Sequence, residues 1–148
     1  LFQNTDSPAV LKTAQEKGVR AFGWDSDMQA YGPEAHLGSA AINWVPYYTK
    51  AVNDVLNGTW SEGKSWWGVK EGAIDLVSMP ADIPQEVQDK VAAAKAGLKD
   101  GSLAIWKGPI ADNQGQVVLP EGQVADDEFL SRINFFVQGV EGKVPGSK

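Results

Sequence analysis

Two acids one residue apart, Asp25 and Asp27, stand in the stretch Phe22-Gly23-Trp24-Asp25-Ser26-Asp27-Met28, where a short apolar run breaks off. An ionised carboxylate only accepts hydrogen bonds, and its two oxygens can take both hydrogens of a vicinal diol. Trp24 and Trp44 offer aromatic faces with one N–H donor each, and Thr5 and Asp6 add a hydroxyl and a further carboxylate in an upstream polar loop. Acids at strand ends also bind hard cations such as Mg²⁺, a reading that ranks below the hydrogen-bonding one. The sequence predicts no cofactor and no metal site.

Those residues need elements to position them. Gly18-Val19-Arg20-Ala21-Phe22 reads as a buried strand entered from a helix, with the strand running from Val19 to Trp24. Asp25 and Asp27 then fall just past its carboxyl end, the edge where open α/β sheets bind ligands. Upstream, Ser7 is a candidate N-cap and Pro8 a natural first helical residue. Val10, Leu11 and Ala14 share one face, and Gly18 closes the helix. Leu1-Phe2-Gln3 reads as the end of a strand whose beginning is missing, as in a fragment of a longer protein. The resulting βαβ unit brings both strand ends to one edge, so Thr5, Asp6, Asp25 and Asp27 are predicted neighbours.

Composition limits the remaining possibilities. The 148 residues suit one domain burying about 70% of its unfolded surface, and 13 basic residues against 19 acidic ones give a formal charge of -6 without a Lys/Arg cluster. Phosphate neutralisation needs a concentrated basic face, so nucleic acid is not expected as a partner. The chain has no cysteine, which removes disulfides, thiol nucleophiles and zinc-thiolate sites together. No apolar run reaches the roughly 20 residues of a membrane span. None of the Gly-x-Ser-x-Gly, Gly-x-Gly-x-x-Gly or P-loop patterns is present, and His36 has no serine–acid partner in a recognisable motif, so it reads as structural filling.

Downstream, residues 26–34 are predicted as loop and 36–40 as a short strand. Asn43 is a candidate cap for a helix to about Asn57, with Pro46 tolerated in the first turn and Val45, Tyr48, Val52 and Val55 at helical spacing. That puts Trp44 at a helix start on the ligand edge. Trp66 to Val69 and Ala73 to Val77 are predicted to form a hairpin, within an excursion from Lys64 to Val77. Pro84 opens a helix carrying Val87, Val91, Ala94 and Leu98, with early acids and late lysines, and Gly101 ends it. Leu103 to Trp106 and Ile133 to Val137 read as strands, residues 108–115 as a bend followed by a turn with which Gln116 to Leu119 pairs, and residues 126–130 as a helical turn. The tail from Gly142 reads as a polar end. Trp60, Trp66, Trp67 and Trp106 are expected in core or rim packing.

Asn4-Thr5-Asp6-Ser7-Pro8-Ala9-Val10, Gly23-Trp24-Asp25-Ser26-Asp27-Met28, Asn43-Trp44-Val45-Pro46-Tyr47-Tyr48, Gly108-Pro109-Ile110 and Phe136-Val137-Gln138-Gly139-Val140 occur in the order and approximate spacing of one family. Across essentially the whole chain, the sequence resembles the C-terminal part of a basic membrane protein (Bmp/PnrA-like) substrate-binding lipoprotein. The resemblance implies an α/β, type I periplasmic-binding-protein-like lobe, with a mainly parallel sheet and helices on both faces. Residues 1–148 would form the C-terminal lobe, with a hinge crossover near residues 120–148, and the N-terminal lobe would lie outside this chain.

The function implied is solute binding for an ABC importer, without catalysis: a purine nucleoside or base held between two lobes and passed to a membrane permease. The location implied is periplasmic or extracytoplasmic, with membrane attachment only through an upstream lipid anchor. In the family the first acid of Gly-x-Asp-x-Asp contacts ribose hydroxyls, which marks Asp25. The loop holding Thr5 and Asp6 corresponds to one that approaches ligand through glycine backbone, and this chain lacks that glycine. A family lysine near the start of the helix after the third strand falls, by spacing, at Asn43-Trp44. An indole there would stack on a purine ring, so a free base is expected to bind as well as its nucleoside, or else Trp44 only packs the helix start. The effector lobe of a transcription regulator, which shares the fold, and a small α/β enzyme domain remain as alternatives.

Overall fold

The computed structural model describes residues 1–145; residues 146–148 of the polar tail lie outside the described residues. The chain divides into two compact units, one of residues 1–101 and one from Ser102 onward. In the first unit, α1 (Ala9–Glu16) buries Leu11 and Ala14 against Ala21, Met28 and Ala35, with Val10 packed at the margin. Its start is offset by one residue from the expectation. Pro8 precedes the helix, its carbonyl accepting from the Lys12 N–H at 3.1 Å, while the Ser7 hydroxyl accepts from the Ala9 N–H at 3.3 Å.

After α1 the chain enters β1 (Ala21–Asp25), so Asp25 is the last residue of the strand rather than the first beyond it. A single 3₁₀ turn at Gln29–Tyr31 leads to β2 (His36–Ile42), which runs parallel to β1 with Gly23 opposite Ser39 and Asp25 opposite Ala41. On the other side of β1, the Leu1 amino group donates to the Arg20 carbonyl at 2.7 Å and the Leu1 carbonyl accepts from the Phe22 N–H at 2.9 Å. Those two bonds are the pattern of a parallel neighbour, and Phe2 stacks on Phe22 with ring centroids 4.7 Å apart. The strand ending expected at residues 1–3 thus lies beside β1.

α2 (Val45–Leu56) likewise starts one residue later than expected: Trp44 holds the cap position, its carbonyl accepting from the Tyr48 N–H at 3.0 Å, while Asn43 Oδ1 accepts from the Val45 N–H at 3.2 Å and Pro46 sits in the first turn. Val45, Tyr48, Val52 and Val55 keep helical spacing, yet all four remain exposed. β3 (Ile74–Val77) joins β2 antiparallel, Val77 opposite Ser39 and Ile74 opposite Ile42. α3 (Gln85–Asp100) follows Pro84 and ends at Gly101, whose φ of 82° is the left-handed conformation that glycine adopts without a Cβ clash. Lys95 Nζ reaches Asp75 Oδ1 at 2.6 Å and the Leu76 carbonyl at 3.2 Å, tying α3 to β3.

The class is therefore α/β with a parallel pair at its centre, and one expected element of this first unit is absent. The hairpin over residues 64–77 does not form: residues 66–69 are no strand, and β3 pairs with β2 instead. Local bonds account for this. The Gly68 N–H donates to Glu71 Oε2 at 2.8 Å and the Gly68 carbonyl accepts from Ala73 at 3.0 Å, so side-chain and turn bonds displace a ladder.

In the second unit, β4 (Ile110–Ala111), within the segment expected as bend and turn, pairs antiparallel with β5 (Val117–Leu119). Their turn is fixed by Asp112 Oδ1, which accepts from the N–H groups of Gln114 and Gln116 at 2.9 Å each. α4 (Asp127–Ser131) is capped by Asp126, whose Oδ1 accepts from the Phe129 N–H at 2.8 Å. Leu103 to Trp106 and Ile133 to Val137 are not strands. Each segment meets the rest of the unit through single bonds, Trp106 accepting from Ala125 and Phe136 from Asn113, and Val137 forms an isolated bridge with Asp112. An apolar run without a continuous partner edge gains no ladder.

Candidate ligand-binding site

Because residue 1, β1 and β2 run parallel, the segments that follow them leave the sheet at one edge. Thr5 and Asp6 follow the first, Trp24 and Asp25 end the second, and Trp44 follows the third. Thr5 is steadied through Gln3: its hydroxyl donates to Gln3 Oε1 at 3.0 Å, and Gln3 Nε2 donates to the Phe22 carbonyl at 3.2 Å. Asp6 is exposed, and Trp24 is 38% exposed.

Asp25 has an unusual backbone. Its φ is 69°, and the Ser26 N–H donates to the Trp24 carbonyl at 2.8 Å across it. An i to i+2 bond around a residue of positive φ is the rarer, strained form of γ-turn, and such conformations cost of order 1–3 kcal/mol and cluster at ligand clamps. The Asp25 side chain is half-buried, and among the described residues no hydrogen bond or ion pair engages its carboxylate.

Asp27 does something different. The turn at Asp25 sends the chain back over the sheet, where Asp27 Oδ1 accepts from the Gln29 N–H at 3.0 Å and Oδ2 accepts from the Ser78 hydroxyl. The Ser78 bond and then the Gln29 bond hold the Asp27 carboxyl below its ordinary value. The expected cluster of Thr5, Asp6, Asp25 and Asp27 is therefore corrected: Asp27 leaves the edge and fastens the returning loop to the residue after β3.

Trp44 is 55% exposed at the start of α2 and stacks on Tyr48 with ring centroids 5.9 Å apart. It borders a cavity of about 400 Å³ whose walls include Ile42, Asn43, Tyr47, Trp67 and Ile74, with Tyr47 and Trp67 edge to face at 5.7 Å. Tyr47 was not anticipated in this role, although its position three residues after Trp44 puts the two on one helix face. Trp67 enters from the segment expected to be a strand. Trp60 and Trp66, expected in core or rim packing, are 59% and 57% exposed. Asp25 and Trp44 share the edge, and among the described residues neither a hydrogen bond nor a ring contact joins them. Among the described residues there is also no group of three His, Asp or Glu side chains that could hold a metal ion, and no helix long and apolar enough to cross a membrane.

Residues 2–102, almost the extent of the first compact unit, match the family model described as "Bmp: ABC transporter substrate-binding protein PnrA-like". The chain belongs to this family of ABC transporter substrate-binding proteins. It is 37% identical over 143 residues to a purine-binding protein of Brucella abortus (strain 2308), covering 97% of this chain and 41% of that protein. It is 31% identical over 144 residues to a putative ABC transporter glucose-binding protein of Haloferax volcanii, covering 97% of this chain and 34% of that protein. The chain thus spans about two fifths of the first relative's length and a third of the second's. A crystal structure of a transcriptional activator of the comK gene from Bacillus halodurans shares the fold, with a TM-score of 0.63 and 17% identity over 69% of this chain and 37% of that one. At that identity the likeness concerns fold alone.

Proposed function

We propose that this chain is a ligand-binding lobe of an ABC importer's substrate-binding protein, and that the carboxyl edge of β1 and β2 takes a purine nucleoside or purine base. The observation that carries the reading is Asp25, a half-buried carboxylate without a hydrogen-bond or ion-pair partner among the described residues, held in a strained turn at that edge. It accepts hydrogen bonds from ribose hydroxyls or from N–H groups of the base. Trp44 supplies an aromatic face to the ring system, with Tyr47 and Trp67 alongside in the same cavity, and Thr5, Asp6 and Trp24 border the ligand from neighbouring segments. The relative named for purine binding supports the ligand class.

In the intact protein a second lobe closes over this edge, residues 120–148 contribute to the crossover between lobes, and the loaded protein delivers its ligand to a membrane permease. It works outside the cytoplasm, attached by an upstream lipid anchor. The protein releases its ligand unchanged. A sugar is the second reading, favoured by the relative named for glucose binding and by the suitability of a carboxylate beside an indole for a polyol. Calorimetric titration of the full-length protein with adenine, adenosine, guanosine, ribose and glucose separates the two. Saturable binding of adenine and adenosine is the expected result. Binding of glucose or ribose with no purine affinity overturns the purine reading, and hydrolysis of adenosine during incubation overturns the assignment to a transport protein.

A further inference from the structure

The strained turn at Asp25 persists only if its surroundings over-determine it, and those surroundings converge on one buried pair. His36 and Ser39, both on β2, are completely buried. His36 Nε2 lies 2.8 Å from Ser39 Oγ, and Ser39 Oγ accepts from the Met28 N–H at 3.0 Å. The loop that leaves Asp25 is thereby pulled flat onto β1 at Gly23. A Cβ built on Gly23 would come within 2.2 Å of Ser39 Oγ and 2.8 Å of Met28 Cβ, so the loop passes as close as a glycine backbone permits. Asp27 fixes the same loop from its other side through Ser78.

We infer that His36 and Ser39 are positioning residues for ligand binding: through the Met28 N–H they hold the loop that keeps Asp25 turned toward the ligand. This rests on the reading of Asp25 as a ligand contact. Neutral His36 accepts the Ser39 hydroxyl hydrogen at Nε2 while the serine oxygen accepts from Met28, and the ring proton lies on His36 Nδ1, which is buried and, among the described residues, has no partner at full hydrogen-bond geometry. A second proton on the ring turns Nε2 into a donor. Ser39 Oγ then faces two donors, and its own hydrogen loses its acceptor.

The charges around the ring set when this happens. Burial disfavours the imidazolium most strongly, Asp27 on the returning loop and the Ser78 carbonyl after β3 favour it, and Arg20 before β1 opposes it. Arg20 is itself engaged by Asp82 at 3.0 Å. The neutral ring therefore prevails down to a pH below 6.5, the ordinary histidine value.

The test uses the full-length protein. Amide exchange at Met28 reads the latch without any ligand, with the Ala21 N–H, which donates to the Ala35 carbonyl at 2.9 Å, as internal reference. The protection of Met28 relative to Ala21 is expected to fall as the pH drops from 6.5 toward the lowered His36 value, by up to about ten-fold per pH unit, and to be lost at neutral pH in Ser39→Ala. Adenosine affinity is expected to fall over the same pH range, and His36→Gln, which retains an amide near the Nε2 position but does not titrate, is expected to remove that pH step. Unchanged relative protection of Met28 from pH 7.5 to 5.0, or a Ser39→Ala protein with undiminished adenosine affinity, overturns the inference. Met28 opening on schedule with neither adenine nor adenosine bound at any pH upholds the latch and overturns the purine reading instead.

Discussion

Replacing Asp25 by Asn removes a charge while sparing the backbone, because Asn is among the few non-glycine residues that enter the positive-φ region readily. At φ 69° the substituted turn should survive. The wild-type carboxylate makes no bond within the described residues that the change would break. Folding stability should therefore move by no more than about 0.5 kcal/mol, as for a surface substitution away from special features. Binding should suffer more, since a hydrogen bond to a charged group contributes about 1.5–3 kcal/mol, or roughly a 10- to 150-fold rise in Kd. Asp27→Asn should raise Kd far less, because Asp27 faces Ser78 and Gln29 rather than the open edge. Calorimetry with adenosine on the full-length variants, alongside thermal melts, gives both quantities. Equal losses in the two variants, or an Asp25→Asn protein with wild-type affinity, would refute the assignment of Asp25 as the ligand's acceptor.

Trp44→Ala should weaken adenine binding by about 1–3 kcal/mol, the range for stacking a base on an aromatic ring, and leave the melting temperature nearly unchanged because Trp44 is 55% exposed; competition titration with adenine checks this. Gly23→Ala should destabilise the first unit by about 1–3 kcal/mol, as overpacking does, since its Cβ would press on Ser39 Oγ and Met28 Cβ; denaturant melts report it. Stability should be flat with pH above 6.5 and fall as pH drops from there toward the lowered folded value of His36, because the unfolded chain binds the proton first. A second decline belongs to Asp27, held by Ser78 and Gln29, together with Asp82, held by Arg20; both contributions are present above 3.8 and are lost as pH falls through their lowered folded values. Melts across this range in wild-type and His36→Gln proteins distinguish the two windows.

Local chemistry made much of both units legible in the sequence. Leu11 and Ala14 at helical spacing, Asn43 before Val45, Gly101 after α3 and the Asp112 turn between β4 and β5 each act within a few residues, and each does what its type suggests. The partner of β3 was not legible, because a short, mostly apolar segment such as residues 74–77 carries no mark of which strand it will join. The residues that matter most to the candidate site were hidden for a related reason. No glycine flags the turn at Asp25, Ser39 is an ordinary small residue in a strand pattern, and Ser78 meets Asp27 across 51 positions of sequence. His36 was legible as a buried structural residue, but its partners were not. Asp25 could be singled out from its motif, whereas the separation of its role from that of Asp27 required the loop's return path.

The most direct measurement is a crystal structure of the full-length protein with adenosine bound. The account predicts the ligand at the carboxyl edge of β1 and β2, with an Asp25 oxygen within hydrogen-bonding distance, about 2.5–3.2 Å, of a ribose hydroxyl or a base N–H, and with the Trp44 ring against the purine. A ligand seated elsewhere, or one whose polar contacts leave Asp25 unpartnered, would contradict it.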